Sequence, residues 1–154
     1  MDLYVCSTLR HLLFSLLKAC SQTDKAHHIF MIADQQNIDS NNFDLSCLPN
    51  NINVHFIQRE SIRSTLYSGI QGHILKLMAM RNISTSSSIR QYVHTLLFTK
   101  SLKLDIKFSP DNRLFLFNER NKIARLFRLI FNEYAMIEEG VGNYRHLKFK
   151  KIEK

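Results

Sequence analysis

Short unbroken apolar runs alternate along this chain with stretches whose apolar residues recur at helical spacing, and few folds accommodate that alternation. A strand with no polar positions must be covered on both faces, which requires a mainly parallel sheet between two layers of helices. Leu3 to Cys6 is the first such run. After Ser7-Thr8, apolar residues fall at Leu9, Leu12, Leu13, Leu16, Leu17 and Cys20, a spacing that predicts an amphipathic helix with this stripe inward. Ser7 or Thr8 supplies its N-cap oxygen.

The same unit recurs. Residues 28–33 form a second apolar strand ending at Asp34, followed by an asparagine-rich loop to Pro49-Asn50 and a third strand over 52–57. Ser61 then opens one long predicted helix with Ile62, Leu66, Ile70, Ile74, Leu77 and Met78 on its inward stripe. Gly69 and Gly72 inside it cost up to ~1 kcal/mol each relative to alanine and imply a kink or a close approach. After a polar break at 84–88, Ile89, Val93, Leu96 and Leu97 continue as another helix. Residues 104–108 and 114–117 are both strand-like across the turn Ser109-Pro110-Asp111-Asn112. They either pair as a hairpin or only the second joins the main sheet. A helix follows with Ile123, Leu126, Phe127, Ile130 and Phe131 inward and Lys122, Arg125 and Arg128 on its other faces, then a last strand over 134–138. The fold class is α/β, Rossmann-like, a single domain over residues 1–144 with a basic tail or linker over 145–154.

Composition agrees with a packed domain: 45% hydrophobic, 22% charged, four glycines and two prolines in 154 residues. No stretch approaches the ~20 apolar residues needed to span a bilayer. Leu12 to Leu17 also lacks a basic n-region and a small-residue cleavage site, so a signal peptide is not expected and the cytoplasm is the expected compartment. Cys6, Cys20 and Cys47, an odd set without a CxxC, read as reduced thiols. The seven histidines show no metal-ligand spacing. The formal charge of +8 includes a basic run from Arg145 to Lys154, which suits anionic lipid or nucleic acid but is more commonly a solvated end.

Ligands of open α/β sheets bind beyond the carboxyl ends of the strands. The residues to inspect are therefore Cys6-Ser7-Thr8, Asp34, Gln58, Asn118-Glu119 and Glu138-Glu139-Gly140. There is no GxGxxG, P-loop or GxSxG pattern, which disfavours a dinucleotide site and a serine hydrolase. The most informative stretch is Glu138-Glu139-Gly140-Val141-Gly142-Asn143-Tyr144. Two adjacent carboxylates ending a strand point to opposite faces, and the glycine lets the chain turn at once.

That stretch resembles the Asp/Glu-Asp/Glu-Gly motif of bacterial sialyltransferases and polysialyltransferases, and its continuation resembles glycosyltransferase family 52, which includes lipooligosaccharide sialyltransferases. Phe115-Leu116-Phe117-Asn118-Glu119 with its following basic helix, and the opening strand with Cys6-Ser7-Thr8, fit the same family. The resemblance implies the N-terminal, acceptor-side half of a GT-B enzyme, in which two Rossmann-like domains face across a cleft. It implies Glu139 as general base, and Ser7, Thr8, Asn118, Glu138 and Gly140 as substrate-binding positions. It further implies an inverting transfer from a CMP-sugar to a surface glycan, with no metal and no cofactor. The family's donor-side His-Pro motif does not occur in this sequence, where the two prolines follow Leu48 and Ser109. The CMP-sugar is then expected on a second domain, from a longer chain or another one. Leu9-Arg10 stands where relatives often carry a proline, which bears on acceptor contacts from the first turn. Peripheral association with an anionic inner membrane fits the basic charge, and a homodimer stays open. The competing readings are a basic module for nucleic acid or membrane using Lys122, Arg125, Arg128 and the tail, and a non-catalytic α/β scaffold. No RNP, helix-turn-helix or zinc-finger signature supports nucleic acid.

Overall fold

The computed structural model describes residues 1–33, 38–81, 83, 85–107, 109, 111–118, 121–131 and 133–137, and the backbone of 149–151. Five parallel strands form the sheet: β1 (Asp2–Cys6), β2 (His27–Ile32), β3 (Ile52–Ile57), β4 (Arg113–Leu116) and β5 (Glu133–Met136). A sixth, β6 (Phe149–Lys151), pairs antiparallel with β5, and the order is β3-β2-β1-β4-β5-β6. Part of the segment expected as a basic tail is therefore the edge strand of the sheet. The expected strands lie within two residues of the observed ones, the largest difference being that β5 ends at Met136 and not at 138.

Side-chain alternation divides the strands between two cores. Leu3, Val5, Phe30, Ile32, Leu114 and Leu116 face α2 (Arg59–Leu66), α3 (Gly69–Arg81), α4 (Ser87–His94) and α5 (Lys122–Arg128). Tyr4, Ile29, Met31, Phe115 and Phe117 face α1 (Leu9–Cys20) and the loop bearing Ile38, Phe43 and Leu48. The sheet is thus covered on both faces, the doubly wound arrangement of a Rossmann-like fold.

Several helix faces differ from the expectation. In α1 the buried residues are His11, Leu12, Ser15 and Ala19, while Leu9, Leu13 and Leu17 are exposed. The helix is apolar on more than one side, so spacing alone does not fix which side packs. The Ser15 hydroxyl, 3.2 Å from Cys6 Sγ, is accommodated on the inner face by this polar contact.

The long helix expected from Ser61 is two helices. Tyr67 ends α2 by donating its N–H to Arg63 O at 3.0 Å, and Gly69 begins α3 at φ +64, which glycine adopts without strain. A Cβ on Gly72 would lie 2.3 Å from the Tyr67 carbonyl carbon, so the elbow also depends on that glycine. The elbow resets the helical phase. Ile62 and Leu66 are buried as expected, but Gly72, Leu75 and Ala79 form the inner face of α3, and Ile70, Ile74 and Leu77 face solvent.

Beyond α4 the helix widens into a π-helical run, Thr95–Ser101, closed by a Leu102 N–H to Leu97 O bond of 2.9 Å. Among the described residues between Leu104 and Lys107 there is no strand pairing, so only Arg113–Leu116 joins the sheet. Arg128 is a further correction: it is buried, with its guanidinium 4.7 Å from the centre of the Tyr134 ring.

At the amino end of the sheet an ion pair ties β1 to β4, whose register sets Asp2 beside Arg113. Arg113 donates through Nε to Asp2 Oδ1 at 2.8 Å and through an Nη2 N–H to Oδ2. The Asp2 side chain is 1% exposed and that of Arg113 35%. Removing one partner of a buried pair strands the other charge, at about 3–5 kcal/mol. Arg113→Met should therefore destabilise the fold by about that amount in urea unfolding. The double substitution Asp2→Leu/Arg113→Met should recover most of the loss.

Candidate functional site

Strand order reverses between β1 and β4. From β1 the chain runs outward through β2 and β3, then crosses back to place β4 on the other side of β1. The connections leaving the carboxyl ends of β1 and β4 diverge to opposite faces, which opens a crevice where ligands of such sheets bind. Ser7 and Thr8 follow β1 directly, and Phe117 and Asn118 follow β4.

Thr8 is the N-cap of α1, its hydroxyl accepting the His11 N–H at 3.2 Å. Ser7 donates its backbone N–H to His11 Nδ1 at 3.1 Å and holds its hydroxyl 3.2 Å from the same nitrogen. An Nδ1 that accepts from an amide is unprotonated, so in the neutral ring the proton sits on Nε2. The ring lies flat on Phe117, with centroids 4.3 Å apart and planes 5° from parallel. His11 therefore joins the two lips of the crevice: a hydrogen bond reaches the β1 turn and a ring stack reaches the end of β4. Spacing marked none of the histidines. The available signal was a histidine four residues after the strand-end serine, inside the first turn of the helix.

Asn118 is exposed, and its carbonyl accepts the Asn121 N–H at 3.3 Å in the turn that leads to α5. The Asn121 side chain in turn caps α5 by accepting from the Ile123 N–H at 2.8 Å. Ile137, just past β5, donates its N–H to Leu116 O at 2.8 Å, which holds the exit of β5 beside the exit of β4. Glu138, Glu139 and Gly140 follow Ile137 in sequence and lie outside the described residues, as do Asp34 and Glu119. Gln58 follows the outer strand β3 and is separated from the crevice by β2. The structure thus brings Ser7, Thr8 and Asn118 to one crevice and sets Gln58 apart.

Cys6, at the end of β1, is buried, and desolvation pushes its thiol up to about 12, only partly offset by the Ser15 contact. Such a thiol is a poor nucleophile at neutral pH. Among the described residues no group of three histidine, cysteine or acidic side chains could hold a metal ion. The proposed cationic face of α5 is reduced to exposed Lys122 and half-buried Arg125, since Arg128 is inside.

Comparisons with family models, with curated proteins and with solved structures return no match to this chain.

His27 and His28 point to opposite faces of β2. His27 is fully buried, its Nε2 2.8 Å from Gln22 O. His28 Nδ1 lies 3.0 Å from His55 Nε2 on the other face, the two rings stacked. Burial, and then the neighbouring His28, pull His55 from its ordinary 6.5 down to about 4, and burial also lowers His28. Between about 4 and 6.5 the unfolded chain binds protons at His55 that the folded chain refuses. Stability should fall as pH drops through that window. Thermal melts across it should show a steeper loss for the parent than for His55→Phe, which keeps the ring stacking without the titration.

Proposed function

We propose that this chain is the acceptor-side Rossmann-like half of an inverting, sialyltransferase-like glycosyltransferase acting on a surface glycan such as lipooligosaccharide. The supporting observation is topological. The reversal between β1 and β4 opens a crevice, and Ser7, Thr8 and Asn118, the described residues that the family resemblance marks, follow those two strands. The exit of β5 lies next in line through the Ile137 to Leu116 bond, and the Glu138-Glu139-Gly140 motif comes immediately after it in sequence.

In this reading the acceptor sugar occupies the crevice and Glu139 is the base. Its carboxylate takes the proton of the acceptor hydroxyl as that oxygen attacks the anomeric carbon of a CMP-linked sugar. The bond to the phosphate breaks, CMP departs with the electron pair, and configuration inverts. A carboxylate serves best when its pKa is lifted from about 4.3 toward neutrality. The donor nucleotide is held by a second Rossmann-like domain across the cleft, and the reaction needs no cofactor.

A positioned base contributes ~10²- to 10⁴-fold, so in the two-domain enzyme Glu139→Gln should lower turnover by that factor while the fold persists. Glu138→Gln should do less. The assay is transfer from a CMP-sugar to a lipooligosaccharide acceptor, and activity within a few-fold of the parent for both variants sinks the assignment.

Calorimetry with CMP on residues 1–154 tests the division of labour. Binding should be weaker than about 100 μM, ~5.5 kcal/mol. Tighter binding would move the donor site into this half.

A further inference from the structure

We infer that the outer face of α3 docks on the surface of an anionic lipid bilayer. It gives the membrane association expected from the basic charge a specific face, and it uses none of the residues assigned to glycosyl transfer. The re-phasing at the Tyr67–Gly69 elbow leaves Ile70, Ile74 and Leu77 in one outward row, with Ile70 81% exposed and Leu77 55%. Met80 and Ile83 extend the apolar surface beyond the row. On one side of α3, Tyr92 of α4 donates its hydroxyl to Gln71 Oε1 at 3.1 Å, which sets a half-exposed aromatic ring beside the row. On the other side, Lys76, Lys122 and Arg125 gather with Met80 around a shallow groove floored by Ala79 and Tyr67. Arg81 lies at the end of the row.

The charge pattern selects the partner. From Ser61 to Leu104 the sequence has six lysines and arginines and no aspartate or glutamate. An apolar helical row edged by cations and a tyrosine has the chemistry of an interfacial helix. Its apolar side chains enter the acyl boundary, the phenol sits at headgroup level, and the lysines meet lipid phosphates. No described helix is long and apolar enough to cross a membrane, so α3 lies along the surface.

The experiment is co-sedimentation of the chain with phosphatidylethanolamine vesicles containing phosphatidylglycerol, with pure phosphatidylcholine vesicles as the neutral reference. Binding should need the anionic lipid and weaken with added salt. Ile70→Ser/Leu77→Ser should reduce vesicle affinity more than tenfold. Lys76→Gln and Lys122→Gln should each cost about fivefold, the factor expected of one cation near an anionic surface. All four side chains are exposed, so the melting temperature should stay at the parent value. Leu13→Ser, on the exposed row of α1 across the sheet, should keep vesicle binding. Three outcomes would overturn the proposal: sedimentation unchanged in the Ile70/Leu77 variant, an equal loss in Leu13→Ser, or no vesicle binding together with a self-association that Ile70→Ser/Leu77→Ser abolishes. The last would make the face an interface between copies.

Discussion

A bidentate pair between Asp2 and Arg113 sits where the two windings of the sheet meet. It joins the first strand to a strand 111 residues further on, at the one place in the sheet where the chain reverses its direction of winding. β1 is buried along its whole length, and backbone pairing alone leaves open a slip of β4 along it. A slip of one residue would turn Leu114 and Leu116 to the wrong face and place Arg113 on the side away from Asp2. The charge pair and the apolar alternation of β4 therefore favour the same register, and neither charge can be removed alone without stranding the other. Around it Tyr4 stacks on Phe115 at 4.8 Å, and Lys18 of α1 reaches over the same ring at 5.2 Å. The amino end of the central strands is thus clamped by charge and aromatic packing, while their carboxyl end is left to form the crevice.

That division explains why the first-turn residues are arranged as they are. Thr8 is committed to capping, and Ser7 is tied to His11 by both its amide and its hydroxyl. The ring stack on Phe117 carries this constraint across to β4. His11 thus couples the turn after β1 to the end of β4 through one side chain, so the two sides of the crevice are held to each other.

The strands were legible because most are short apolar runs and β3 alternates at Ile52, Val54 and Phe56, and the α/β class followed from them. The helix faces were less so. α1 and α3 carry leucine, isoleucine or phenylalanine on both sides, and the elbow at Gly69 shifts the phase of everything after Leu66. Leu104 to Phe108 alternates like a strand, yet no partner strand pairs with its described residues. Of the site, the positions of Ser7, Thr8 and Asn118 could be read from strand ends alone. His11 could not, because its role arises from Phe117, 106 residues away, and the inward Arg128 lies against the ring of Tyr134. Local spacing carries no record of such distant partners.

The strand order also sets a sequence of events for the chain as it is made. β1, β2 and β3 neighbour one another and pair once about a third of the polypeptide exists, but the far side of β1 has no partner until Arg113 to Leu116 emerges. Until then β1, buried along its whole length in the finished sheet, presents an open edge, the kind of surface that pairs with other chains. Closure over so long a separation is slow compared with local contacts. The central strand that gives the finished sheet its strength is thus also the segment most in need of shelter during synthesis.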